Sequence, residues 1–193
     1  MKWSMNWRSM HYELPEYLYH GTVTPFSAID VGKGRDRKDF GKGFYMAFSR
    51  AQAIGMMHKK YKEMIGIFGN GVGDLKKTLY KIKISAENFA GLKIKEFSEA
   101  DVEWFYFVLM CRAVKGMPHD YDVVIGPTAD DNTNFVLKNF LDGFYGDIFS
   151  AKAKNDALAD LEPETLGVQL YSGKQSVVNK IVLSMEIDDW SKS

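Results

Sequence analysis

A single α+β domain is the fold class this sequence predicts, and three observations lead to it. Thr78–Ile84 and Lys180–Ile187 alternate their apolar residues at the period of two that turns one face of a strand into a core. Arg50–Glu63 instead repeats apolar residues at helical spacing, and Glu99–Val114 is a strongly apolar helix stretch between a capping signal and Gly116. A length of 193 residues with 46% hydrophobic content supports one sizeable core, so residues 1–193 are expected to form one domain.

Residues 1–15 mix Trp3, Trp7 and Met10 with polar residues up to Pro15, and read as either an N-terminal helix or a poorly ordered arm. Tyr17–Thr22, YLYHGT, is the first strand, ended or bent at Gly21. Its His20, taken alone, is an ordinary strand histidine. Residues 32–42, GKGRDRKDFGK, form a glycine-rich basic loop carrying Lys33, Arg35, Arg37, Lys38 and Lys42. The spacing from Gly34 to Gly41 does not fit a Walker loop, and Asp36 and Asp39 offset part of the charge. The loop is read either as solvated or as meeting a pyrophosphate or a target. In Asp39–Phe48, DFGKGFYMAF, Gly41 and Gly43 stand where backbone passes close to a ligand or takes positive φ, and a buried strand follows at Phe44-Tyr45-Met46.

Ser49 caps the helix over Arg50–Glu63, in which Ala53, Met56, Met57 and Tyr61 mark the inner face. Gly66–Gly73, GIFGNGVG, lacks the spacing of a dinucleotide fingerprint and reads as a turn. In Thr78–Ile84, Tyr80, Ile82 and Ile84 face one way and Leu79, Lys81 and Lys83 the other, as in a half-exposed strand. Ser98, with Asp101 three residues on, signals the cap of the helix Glu99–Val114, which Gly116 and Pro118 terminate. Trp104, Phe105, Phe107, Val108 and Cys111 are its core residues. Tyr121–Ile125 is a buried strand ending at Gly126-Pro127, Asp130 or Asp131 caps a helix Thr133–Leu141, and a short helix Ala151–Leu161 closes at Pro163. Gln169 lies in a late strand segment, Leu166–Tyr171, and Lys180–Ile187 ends the chain with Ile181, Leu183, Met185 and Ile187 on one face.

Basic and acidic side chains number 25 each, so no global field draws the protein to nucleic acid or a membrane. The single cysteine, Cys111, excludes an internal disulfide and a cysteine metal cluster, and reads as a buried thiol. Asp130-Asp131 reads as a cap, and no metal site is expected. Without an apolar leader segment or a membrane-spanning apolar run, a cytoplasmic location and no membrane partner are the expectation.

Leu18-Tyr19-His20-Gly21-Thr22 followed by Phe40-Gly41-Lys42-Gly43-Phe44-Tyr45 resembles the ADP-ribosyltransferase superfamily, in the branch containing diphtheria toxin and the poly(ADP-ribose) polymerases. With Tyr121–Pro127 and Val168-Gln169-Leu170, the set is similar to a bacterial domain-of-unknown-function family in that superfamily, from about Glu16 to Ile187. The resemblance implies a split antiparallel β-sheet with flanking helices and NAD as co-substrate. It also implies cleavage of the nicotinamide N-glycosidic bond and transfer of ADP-ribose to a protein or nucleic-acid acceptor. In that scheme His20 bonds the nicotinamide-side ribose, the Gly21 backbone holds the amide with Thr22 assisting, and Tyr45 stacks on the ring. Gly41, Gly43, Phe44 and Arg35 complete the NAD-binding wall, and Gln169 sets the ribose geometry where the family commonly has glutamate. An amide brings no charge to a developing cation, although Glu162 and Glu164 stand nearby. No aromatic stands near Met56, where the polymerases place a second ring. Both departures suit an alternative, a non-catalytic NAD or ADP-ribose-binding module or a partner-binding protein that keeps the fold. The context the resemblance suggests is an intracellular bacterial toxin or effector with an antitoxin or immunity partner.

Overall fold

The computed structural model describes residues 10–68, 75–129, 131–161 and 167–191. Its strands are β1 (Tyr17–Thr22), β2 (Phe44–Ala47), β3 (Thr78–Ile84), β4 (Ile94–Glu96), β5 (Val123–Pro127), β6 (Val168–Ser172) and β7 (Val182–Asp188). The helices are α1 (Arg50–Phe68), α2 (Val102–Ala113), α3 (Asp131–Leu141), α4 (Ala151–Ala159) and α5 (Gln175–Ile181). The α+β class is therefore as the periodicities indicate.

One seven-stranded sheet runs in the order β4-β5-β6-β2-β1-β3-β7. It is mixed rather than purely antiparallel. β4 and β5 are parallel because the chain between them is spent on α2, a crossover that returns it in the same direction. The sheet has a seam: β1 and β2 share one register pair, Tyr19↔Ala47, whereas β1 pairs with β3 along its whole length, from Tyr17↔Lys83 to Thr22↔Thr78.

Strand alternation sends side chains to two faces. Leu18, Phe44, Met46, Ile82, Ile125 and Leu170 join one core with Val177, Val178 and Ile181 of α5. Phe40, Val124 and Tyr171 join the other with Trp104, Phe105, Val136, Phe140 and Ala153 from α2, α3 and α4. Trp104 is fully buried, and its indole N–H donates to the Pro127 carbonyl at 3.1 Å, so its polar atom is satisfied inside the core. α1 covers the same side nearer β1 and β3, packing Ala53 against Ala47 and Leu79.

Several boundaries differ from expectation for physical reasons. α1 continues past Glu63 to Phe68, so Gly66 lies in a helical turn; Gly69–Gly73 falls outside the described residues. Leu79 is buried because α1 covers that end of β3, so only Lys81 and Lys83 hold the open face. The cap of α2 is Asp101, whose carboxylate accepts from the Trp104 N–H at 2.8 Å, rather than Ser98. β5 runs through Gly126-Pro127: β4 stops at Glu96 opposite Ile125, so the missing Pro127 N–H breaks no ladder there. α3 begins at Asp131, before Thr133, and α4 ends at Ala159 behind a Ser150 cap. Residues 180–181 belong to α5, and β7 starts at Val182. Being an edge strand, β7 leaves Leu183 and Ile187 exposed. Trp3, Trp7, Asp130, Glu162 and Glu164 lie outside the described residues. Among those described, no helix is long and apolar enough to cross a membrane.

Candidate functional site

Beyond Tyr19↔Ala47 the seam opens into a cleft of about 450 Å³. His20, Gly21 and Thr22 of β1, Gly43, Phe44 and Tyr45 entering β2, and Arg35 of the basic loop all line it. The structure thus brings these sequence-derived site residues together. Gly41 and Gln169 are not among its lining.

His20 spans the seam, its Nδ1 lying 2.8 Å from the Tyr45 carbonyl oxygen. A carbonyl only accepts, so Nδ1 carries the proton and Nε2 keeps its lone pair. The imidazole stacks on Phe44 at 4.6 Å and meets the edge of Phe26 at 5.7 Å. Burial lowers its pKa below the ordinary 6.5, opposed by the bond to Tyr45, so the ring is neutral at pH 7. His119 is held likewise: Nε2–H donates to the Phe40 carbonyl at 2.9 Å, Nδ1 accepts from the Tyr121 N–H, and burial again leads the downward shift. With both folded-state pKa values depressed, the unfolded chain takes up protons first on acidification. The histidine contribution to stability is complete above about pH 6.5 and is lost as pH falls through the lower folded values. Urea midpoints measured from pH 7.5 to 5 are expected to fall below pH 6.5, less steeply in a His20→Gln, His119→Gln variant.

Tyr45 points to the opposite face from His20, since it shares a face with Ala47 and Tyr19. Its phenol accepts from the Phe40 N–H at 3.0 Å and donates to the Gly41 carbonyl at 2.7 Å, stapling its own loop. Burial raises its pKa well above the usual tyrosine value, so it stays a neutral hydroxyl. Thr22 Oγ donates to the Thr24 carbonyl at 3.2 Å and closes the end of β1.

The glycines have packing reasons. A Cβ on Gly21 would stand 2.2 Å from the Ala53 carbonyl oxygen and 2.8 Å from Met57 Cβ, so α1 rests directly on β1 there. One on Gly43 would stand 2.3 Å from the Tyr171 ring, and Gly41 has a φ of +94°. Gly21→Ala is expected to cost about 1–3 kcal/mol by pushing α1 off the sheet. Thermal unfolding checks this; an unchanged midpoint would show that the helix shifts freely.

Gln169 is buried behind β2, on the face of Ala47 and Tyr45. Its Nε2 donates to Asp39 Oδ2 at 2.8 Å. The same carboxylate accepts from the Ala129 N–H at 3.0 Å and, through Oδ1, from Arg112 Nη2 at 2.6 Å and Nε at 3.2 Å. Arg112 also bonds Asn134. This knot ties the basic loop to α2, α3 and β6. Asp39 and Arg112 are 73 residues apart, and no spacing pattern announced their pairing. Met56, with 49% of its surface exposed, is not in the cleft lining. Cys111 is a buried thiol whose pKa burial pushes up to about 12, which makes it a poor nucleophile.

A family model described as "Protein of unknown function (DUF3990)" matches residues 17–183, from the first residue of β1 into β7. The chain belongs to the DUF3990 family. Searches of curated proteins and of solved structures gave no match. The DUF3990 match takes in every element that lines the cleft and the whole Asp39–Arg112–Gln169 knot.

Proposed function

We propose that this DUF3990 protein is an NAD-dependent mono-ADP-ribosyltransferase, which breaks the nicotinamide N-glycosidic bond and passes ADP-ribose to a protein or nucleic-acid acceptor. The observation that carries the reading is His20: its Nδ1–H is fixed on Tyr45, leaving Nε2 as an acceptor on a residue that lines the cleft. Nε2 receives a ribose hydroxyl, and the Gly21 backbone and Thr22 beside it meet the carboxamide. Phe44, on the same face as His20, extends the aromatic wall. Tyr45 fixes the loop through its phenol and the histidine through its carbonyl. Gln169 acts from behind the cleft by holding Asp39. Asp30 is the lining residue that carries a carboxylate, and its Oδ1 accepts from the Gly32 N–H at 2.9 Å. The context that suits the reading is a cytoplasmic toxin or effector with an antitoxin partner.

A second reading, a non-catalytic NAD or ADP-ribose-binding module, is favoured by the position of Gln169, whose amide is spent on Asp39 outside the cleft lining. Incubation of the protein with NAD tagged on adenine, in whole-cell lysate, separates the two. Label that enters protein or nucleic acid, with nicotinamide released, and that disappears with His20→Ala supports the transferase. A thermal shift with NAD but neither label nor nicotinamide leaves the binding module.

A further inference from the structure

The two ends of the sheet are finished differently. At one end β4 is only three residues long, and the segment before β1 is fastened beside it. The His11 and Tyr12 N–H groups donate to the Glu96 carboxylate at 2.9 and 2.7 Å, and the Tyr12 hydroxyl donates to the Ser98 carbonyl at 2.8 Å. At the other end β7 runs seven residues as VLSMEID, with neither proline nor lysine to discourage a further strand. Among the described residues no strand pairs with its outer side, and a bulge between Lys83 and Ile84 disturbs only its start. The outward N–H and C=O groups of such an edge are a template for another strand. Leu183 and Ile187 are 54% and 67% exposed, although Ile187 stands opposite Tyr80 and Met185 opposite Ile82, on the face of a buried core. The acids of β7 are paired within their own subunit: Glu186 meets Lys81 at 3.7 Å and Asp188 meets Arg50 at 2.8 Å.

We propose that β7 is a dimerisation edge, on which two copies of this chain pair their β7 strands antiparallel about a two-fold axis through Met185. Met185 is the middle residue of β7, so this register uses the whole strand. Leu183 then lies opposite the partner's Ile187, Ser184 opposite the partner's Glu186, and Val182 opposite the partner's Asp188. No acid faces an acid, and the apolar pairs continue the core face across the axis. Neighbouring registers are worse. An axis through Glu186 sets two carboxylates opposite each other, one through Ile187 sets Glu186 against Asp188, and one through Ser184 leaves Ile187 and Asp188 unpaired. Seven residues a side make a small interface, so the dimer is weak and forms with rising concentration.

Sedimentation velocity of the whole chain tests this, with the mean mass expected to rise from monomer toward dimer between about 1 μM and about 1 mM. Ser184→Lys places an ammonium opposite the partner's Glu186 at both symmetry-related positions and should tighten the dimer by about threefold or more, less so at high salt. Ser184→Glu should weaken it by a similar factor, although within one copy the new carboxylate stands opposite Lys83 and leaves the urea midpoint undiminished at low protein concentration. Leu183→Lys with Ile187→Lys puts like charges opposite each other at exposed positions and should abolish the dimer. The variant Phe144→Ser, Phe149→Ser removes exposed apolar rings away from β7 and should match wild type. A monomer throughout the concentration range overturns the proposal, as does a dimer that survives the double lysine change. Ser184→Lys and Ser184→Glu shifting the equilibrium in the same direction overturns the Met185 register.

Discussion

Asp39→Ala is expected to lower the unfolding free energy by about 3–5 kcal/mol, the largest stability loss of any single change considered for this molecule. Asp39 and Arg112 are nearly sealed, with side chains 11% and 13% exposed. Removing the carboxylate leaves the guanidinium, the Ala129 N–H and the Gln169 amide without their acceptor, and the unpaired charge dominates the cost. An added Arg112→Met change should recover part of the loss, because the stranded cation goes with it. Urea unfolding of both variants measures this. A loss below about 1 kcal/mol for Asp39→Ala would mean that the pair behaves as a solvated surface bridge.

On the proposed transferase reading, His20→Ala is expected to reduce nicotinamide release by about 10²-fold or more, the scale of losing orientation at a reacting centre. Two functions disappear together: the Nε2 acceptor, and the Nδ1 link that holds β1 to β2 beyond their one paired position. His20→Asn tests the division, since a short amide can restore a polar group on β1 without an imidazole. Release that stays at the wild-type rate in His20→Ala, with the fold intact by circular dichroism, would remove His20 from the chemistry.

Much of the fold was legible because its signals are local. β1 was bounded at Tyr17 and Thr22 by aromatic alternation and a glycine, the helical spacing of Arg50–Glu63 marked α1, and an apolar stretch between a capping signal and Gly116 marked α2. Legibility failed where tertiary contact decides. The alternation through Ile181, Leu183, Met185 and Ile187 has strand period, yet Ile181 is buried as the last residue of α5, with Val177 and Val178 on the same core. The parallel pairing of β4 with β5 follows from the α2 crossover, which no single strand encodes. At the site, the His-Gly-Thr and Gly-x-Gly-Phe-Tyr stretches were read as one surface; His20, Gly21, Thr22, Gly43, Phe44 and Tyr45 line one cleft, whereas Gly41 does not. The facing of Tyr45 was not legible, because it depends on register across the seam. Gln169 was singled out as a contact for a ligand, but its partner is a carboxylate 130 positions earlier in the chain.

The seam has a consequence for cooperativity. Strands on either side of it are two subsheets, β4-β5-β6-β2 and β1-β3-β7, with little ladder in common. α1 packs across the divide, touching β2 on one side and β1 and β3 on the other, with Gly21 letting it lie flush. A helix in the first half of the sequence thus serves as the weld that makes two subsheets melt as one body. Its inner face, Ala53 and Met57, carries a responsibility for all-or-none unfolding greater than two small contacts suggest.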